Sequence, residues 1–352
     1  MSRIKIEDLK AFCAKALERE GMRRDDAETV AEVLAETDAY GTHSHGTKNL
    51  HNYIRKFRVN GIDIKGVPEI LSEGPGFALI DAKNTLGMIP SVQAMNLACD
   101  KAEQTGVAIV TVKNSCHFGA AGYYANIAAK RGMIGIAMSN VDPNMTAPGA
   151  RGMLLGNNPF SYAAPAVSTE SVFLDIAMSN VASLKVVQAR KDGRSIPDTW
   201  IVDKDGLPTT DPSRYPEEGA MQPMASHKGY GLAVMVDLLT GLLSGGATSM
   251  GGEIVSWCFR MEEPNNVCHT FLAVSPKVVS GGEIAPRVEE MAETLRSAPK
   301  AKGAERVYTP GEIEWARHKN AQMRGIELPA DVEQSLRGLA DELKLSLPLI
   351  DE

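Results

Sequence analysis

Three of the seven histidines in this 352-residue chain stand where imidazole chemistry is readily assembled. His43 and His45 belong to Gly41-Thr-His43-Ser44-His45-Gly46, which is followed by Lys48, Asn49, Asn52, Tyr53 and Lys56. A helix starting at Ser44 and running to Arg58 would bring His45, Asn49, Asn52, Tyr53 and Lys56 onto one face, at i, i+4, i+7, i+8 and i+11 spacing. Imidazole, amide, phenol and ammonium groups on one face suit a small polar anion. The plainer alternative is that Ser44 caps the helix and the face is solvated. His43-x-His45 also resembles half of a metal site. Residues two apart on a helix diverge, however, and no cluster of acidic residues is evident beside them, so no metal is expected.

The third histidine lies in Lys113-Asn-Ser-Cys-His117-Phe-Gly-Ala-Ala-Gly122. That segment directly follows the apolar run 107–112, so His117 sits just past a strand end, where α/β proteins place ligands. An imidazole there can exchange a proton near neutral pH. Cys116 invites a Cys–His nucleophile, but neighbours in an extended segment point to opposite sides. A buried structural histidine is the alternative.

Further segments are rich in Gly, Asn and Pro: Ser139-Asn140-Val141-Asp142-Pro143, and Gly156-Asn157-Asn158-Pro159. Phe173-Leu-Asp175-Ile176-Ala177 reads as a short strand carrying an acid suited to ribose hydroxyls. Lys228 precedes Gly229 at the start of a helix, a cation beside unpaired backbone N–H groups. Singly, each is ordinary loop chemistry.

The elements that must position these groups form a mixed pattern. Ile6, Leu9, Phe12, Cys13, Ala16 and Leu17 repeat at helical spacing up to Gly21, and Asp25 with Glu28 resembles a capping box opening a second helix. Short apolar runs at 77–80, 107–112, 134–138 and 270–274 read as buried strands, with helices at about 91–104, 120–131 and 229–243. Helices return at about 285–296, 310–324 and 330–343. The expectation is an α/β fold: a helical segment over 1–66 packing with 313–352, and a central domain over 67–312 that includes a loop-rich insertion near 190–226.

Composition excludes several classes. Hydrophobic residues at 43% and charged residues at 23% fit a globular chain and argue against disorder. With a net charge of -7 and no long basic run, nucleic acid is not an expected partner. No signal peptide or membrane span is legible, and five scattered cysteines without C-x-x-C spacing point to a reducing, cytoplasmic setting.

There is no phosphate loop and no convincing G-x-G-x-x-G, so an ordinary Rossmann site is not supported. Yet the ordered set Ser44-His45-Gly46, Asn114-Ser-Cys-His117-Phe-Gly, Gly156-Asn-Asn-Pro159, Leu174-Asp-Ile-Ala177, His227-Lys-Gly-Tyr-Gly231 and Pro310-Gly311-Glu312 resembles the malate/L-lactate dehydrogenase family of the second type. The stretch Ser195–Pro212 is particularly similar to its ureidoglycolate dehydrogenase branch. The resemblance spans nearly the whole chain. It implies a non-Rossmann nicotinamide-binding fold, a homodimer, and an oxidoreductase interconverting a small 2-hydroxy acid and its 2-oxo acid. It also implies roles: His117 as acid/base, with Ser44, His45, Lys48, Asn49 and Tyr53 at the substrate. The implied cofactor contacts are His45, Asn140, Val141, Asp142, Asn158, Asp175, Ile176, Ala177, Lys228, Gly311 and Glu312. One departure stands out. The family pattern Ser-His-Gly-x-x-Arg ends here in Asn49, which offers neutral hydrogen bonds instead of a charged fork; either Lys48 or Lys56 replaces the missing charge, or the substrate does not present its carboxylate there.

On this reading His117 takes the hydroxyl proton in oxidation and returns it in reduction. A carboxylate at Asp175 would repel a 2'-phosphate, favouring NAD as cofactor, with NADP possible. Two rivals stand beside it. One is a metal-dependent hydrolase built on His43, His45 and His117; the other is a catalytically silent NAD-binding relative.

Overall fold

The computed structural model describes residues 2–168 and 170–350. After strand β1 (Arg3–Ile4), helix α1 (Ile6–Arg19) buries the six positions whose spacing marks it as a helix. Helix α2 (Arg24–Ala39) starts without the expected capping box. Arg23 is the N-cap residue and makes no side-chain cap, and Glu28 pairs instead with Arg24 at 2.8 Å. The helix expected from Ser44 is also shorter than its polar periodicity implies. Residues 42–46 form a turn, Thr47–Asn49 a single 3₁₀ turn, and only Leu50–Arg58 (α3) is α-helical.

The central layer is a seven-stranded mixed sheet. Its first part runs β2 (Glu69–Gly74), β3 (Phe77–Asp81), helix α4 (Met88–Thr105), β4 (Val107–Ser115), helix α5 (Ala121–Lys130) and β5 (Ile134–Ser139). Strands β6 (Phe160–Ala164) and β7 (Val172–Ile176) follow, then helix α6 (Ser183–Lys191). A small three-stranded sheet holds β8 (Ile201–Val202), β9 (Pro208–Thr209) and β10 (Ala220–Met221) within the loop-rich region. Helix α7 (His227–Asp237) continues into a π-helical turn at Leu238–Leu242 before β11 (Val267–Val274). The chain ends with α8 (Pro276–Val279), α9 (Ala285–Arg296), α10 (Glu312–Arg324), β12 (Ile326–Glu327) and α11 (Ala330–Leu343).

Strand order in the large sheet is β2-β3-β4-β11-β5-β6-β7. Only β3 and β4 pair in parallel, joined by the crossover α4, and every other neighbour is antiparallel. The uninterrupted apolar runs fall on β4 and β11, where Val110, Val112, Phe271 and Ala273 are buried. The polar β2 carries no such signal because it is an exposed edge strand.

One apolar core links Leu9, Leu34, Ile80, Val112, Phe271 and Leu336, and a second gathers Met145, Tyr215, Met221 and Val236. The two ends of the chain meet. β1 pairs with β12, Arg19 Nη1 donates to the Leu343 carbonyl at 2.6 Å, and His318 Nε2 lies 2.8 Å from Glu36. Among the described residues no helix is long and apolar enough to cross a membrane.

Candidate active site

Strand β4 ends at Ser115; Cys116 stays buried, and His117 opens onto a cleft. The backbone here is tightly held. A Cβ at Gly87, where α4 begins, would stand 2.0 Å from the Cys116 carbonyl oxygen, so glycine alone permits this approach. Tyr124 on α5 donates its hydroxyl to the Phe118 carbonyl.

The His117 ring is fixed by three side chains. Its Nδ1 lies 2.5 Å from the Tyr53 hydroxyl, and the Trp257 indole stacks on its face at 4.7 Å between centroids and 17°. The His45 ring lies 5.6 Å away at 29°. Burial, reinforced by repulsion from His45 and His269, holds the His117 pKa well below 6.5, so the imidazole is neutral at ordinary pH. Burial likewise raises Tyr53 well above the usual phenol range and keeps its hydroxyl protonated. Among the described residues no hydrogen bond reaches His117 Nε2. When Nδ1 carries the proton and donates to Tyr53, Nε2 presents a lone pair to the cleft.

His269 on β11 is the contrasting case. Its two ring nitrogens meet the hydroxyls of Ser139 and Ser115 at 2.8 and 2.9 Å, and burial pushes its pKa down to about 3. It is a satisfied core histidine.

The 41–46 loop owes its shape to Asp38, a buried carboxylate that the helical pattern of α2 conceals. Asp38 accepts from His43 Nδ1 at 2.9 Å, from the Thr47 N–H at 3.0 Å and from the Thr47 hydroxyl at 2.5 Å. A Cβ on Gly46 would sit 2.0 Å from Asp38 Oδ1, which explains the glycine. His43 is thereby tied to the loop through Nδ1. Among the described residues no group of three His, Cys, Asp or Glu is arranged to hold a metal ion. The anchored loop leaves Ser44 and His45 facing the cleft, joined by a 2.8 Å Oγ···Nδ1 hydrogen bond.

Asn49 lines the same end of the cleft, its Nδ2 donating to the Ser44 carbonyl at 2.9 Å. Lys48 lines it too, but its ammonium pairs with Asp331 at 2.5 Å. Lys56 is fully buried and turned away from the cleft, donating to the carbonyls of Arg260, Met261 and Glu263. Among the described residues no arginine lines the cleft.

The cleft encloses about 1450 Å³. Beyond His117 it takes in Gly119 to Gly122 at the start of α5, Val141 and Asp142 after β5, Asp175 to Ala177 at the end of β7, and Gly311. Asp175 keeps solvent access there while its Oδ2 accepts from the Gly122 N–H at 2.7 Å. Desolvation by the cleft walls raises its pKa to about 6; the Gly122 N–H opposes the rise and Glu314 adds to it. Burial also raises Asp142.

Four residues expected at the cofactor are not among those that line the cleft. Asn140 is buried, its amide donating to Asp237 and Ala247 and accepting from the Cys268 N–H. Asn158 is buried too, bonded to the Val141 N–H and the Ala233 carbonyl. Both asparagines brace loops, because a buried amide must satisfy donors and acceptors together. Lys228 is exposed and outside the residues that line the cleft. Glu312 turns towards Arg306, Arg296 and the Thr309 N–H, and Glu314, two residues on, faces the cleft instead. Trp257 is the contact that the sequence does not announce. It lies in an irregular loop with no periodicity to place it.

Residues 4–337 match the malate/L-lactate dehydrogenase family. Among similar proteins, malate dehydrogenase of Pyrococcus horikoshii is 34% identical over 96% of this chain and 94% of its own length. NAD(+) ureidoglycolate dehydrogenase of Escherichia coli K12 is 34% identical over 95% of each chain. The solved structure of sulfolactate dehydrogenase from Methanocaldococcus jannaschii superposes with a TM-score of 0.89 at 32% identity, covering 99% of this chain and 98% of the other.

Proposed function

The chain belongs to the malate/L-lactate dehydrogenase family and is an oxidoreductase of 2-hydroxy acids, and from that premise we propose that NAD is its hydride carrier and His117 its acid/base. The observation that carries the assignment is the Tyr53 hydroxyl on His117 Nδ1, which leaves Nε2 to the cleft. In oxidation Nε2 accepts the proton of the substrate hydroxyl. The imidazolium that forms keeps donating through Nδ1 to Tyr53, and in reduction Nε2 returns its proton to the developing alkoxide. A positioned acid/base contributes about 10²–10⁴-fold to rate.

The cleft suits a dinucleotide beside a small acid. Its 1450 Å³ exceeds the roughly 300–1,000 Å³ of a drug-sized site. Gly119 to Gly122 allow close approach, and Asp175 offers a carboxylate to ribose hydroxyls while repelling a 2'-phosphate. Val141, Asp142, Ile176, Ala177 and Gly311 complete the surface that would hold the cofactor. When bound, the nicotinamide supplies the hydride acceptor or donor. Whichever of Ser44 and His45 is not the donor in their mutual hydrogen bond, together with the remaining N–H of Asn49, receives the acid group with neutral donors, since Lys48 is paired with Asp331.

A homodimer accompanies this reading. Leu232, Leu238, Leu242 and Leu243, on α7 and the turn after it, are each exposed and would give a second copy apolar side chains to cover.

The test is the near-ultraviolet absorbance of NADH and NADPH against a panel of 2-oxo acids, with ureidoglycolate and the 2-hydroxy acids run in reverse. Turnover of at least one pair with NADH favoured is expected. Silence across the panel while NADH binds would remove the substrate assignment and leave the cofactor site.

A further inference from the structure

Helix α3 holds His117 twice, once directly and once through a loop. Tyr53 and Lys56 are three residues apart and so share a face of the helix. Tyr53 meets His117 Nδ1 at 2.5 Å. The Lys56 ammonium, fully buried, donates to the carbonyl oxygens of Arg260, Glu263 and Met261 at 2.8, 2.6 and 3.3 Å. Those three bonds use all three of its hydrogens. They pin the loop that follows Ser256, and a Cβ at Gly61 would lie 1.8 Å from the Met261 carbonyl oxygen, so the loop packs on the end of α3 as well. Trp257, in this loop, stacks on His117 and lies 4.9 Å from the Tyr53 ring at 32°.

A buried ammonium bonded only to neutral carbonyls is expensive to keep, and a methionine would fill the same space without that cost. Three carbonyls converging on one cation fix a loop more sharply than apolar packing does. We propose that Lys56 is a positioning residue for the acid/base: it fastens the 256–263 loop so that Trp257 covers one face of His117 and keeps the imidazole aimed into the cleft. The inference rests on His117 being the acid/base, and it adds two residues to the machinery, neither of which need touch the reacting atoms.

The test is a double-mutant cycle in the full-length protein with the variants Lys56→Met, Trp257→Ala and their combination, reading kcat, KM and NADH affinity by fluorescence. Displacing a catalytic group by about 1 Å costs up to roughly 10²-fold. Lys56→Met and Trp257→Ala are therefore each expected to lower kcat at least about tenfold, with NADH affinity held within about threefold. Because Lys56 acts through Trp257, adding Lys56→Met to Trp257→Ala should lower kcat by less than about twofold more. Trp257→Phe, which restores a ring over His117, should recover most of the loss. Equal losses from Lys56→Met in both backgrounds would overturn the proposal, as would undiminished kcat in either single variant. Should Lys56→Met fail to fold, the pair Trp257→Ala and Trp257→Phe decides, and equal kcat in those two refutes the clamp. His117→Ala run alongside separates the two claims. If it is inactive while Trp257→Ala and Lys56→Met run at full speed, only the clamp fails; if it is active, the acid/base assignment itself falls.

Discussion

Replacing Tyr53 with phenylalanine removes one buried oxygen and little else. The ring still fills its site against Trp257 at 4.9 Å, so the apolar packing should be nearly unaffected. His117 loses the partner of Nδ1, a hydrogen bond of 2.5 Å. An unpaired buried donor costs about 1–3 kcal/mol. If that cost falls on the state in which Nδ1–H must be held while Nε2 works, kcat drops roughly 5- to 150-fold at 1.36 kcal/mol per tenfold. The pH profile adds a signed test. Burial first, then His45 and His269, hold the His117 pKa well below 6.5. Oxidation needs neutral Nε2, so wild-type rates should persist below that pH and fall only as the depressed pKa is reached. Tyr53 accepts from the imidazolium and favours it, so Tyr53→Phe should move this acidic limb lower still while the plateau falls. The assay is kcat for hydroxy acid oxidation from neutral to acid pH, beside the melting temperature. A kcat within twofold of wild type with an unmoved limb would refute the role given to Tyr53.

Three further outcomes are expected. Asp175→Ser should raise the use of NADPH relative to NADH; in the wild-type protein NAD affinity should weaken as the pH falls through about 6, where the Asp175 carboxylate protonates, and a wild-type preference for NADPH would contradict both. Burial alone would raise Glu36, but hydrogen bonds from His318 and Lys10 hold it at about 2 against an ordinary 4.5, a difference of about 3 kcal/mol that is fully present above pH 4.5 and lost as the pH falls through 2. Glu36→Gln should therefore lower the melting temperature by roughly 5 °C near neutrality, with the gap to wild type closing in acid, and an unchanged melting temperature would count against that pairing. Gly46→Ala places a methyl 2.0 Å from Asp38 Oδ1, so it should cost about 1–3 kcal/mol of stability and impair turnover by shifting Ser44 and His45; full activity would show that the loop does not position them.

The parts of this molecule that could be read from the sequence are those where one physical requirement dominates. The buried strands β4 and β11 announce themselves because both faces are covered, and α1 because one face is. His117 stands out because it follows such a strand directly. The polar face read from Ser44 onwards is only half right, because the stretch before Leu50 is shaped by Asp38 and not by helical propensity. Lys56, which fits that face by spacing, points instead to a loop two hundred residues away in sequence, and no local pattern encodes such a contact. Asn140 and Asn158 show the converse. Their types and loop settings suggest ligand contacts, but the same amides serve equally well to satisfy buried backbone groups. Trp257 could be placed only once the chain had closed around it.

The most direct test of the central claim is His117→Gln, a neutral side chain with no useful basicity, measured for turnover in both directions and for NADH binding by fluorescence. The account predicts a fall in kcat of about 10²–10⁴-fold in oxidation and reduction alike, with NADH affinity nearly unchanged. Turnover close to wild type would show that the proton travels by another group; loss of NADH binding together with turnover would make His117 a structural residue of the cleft.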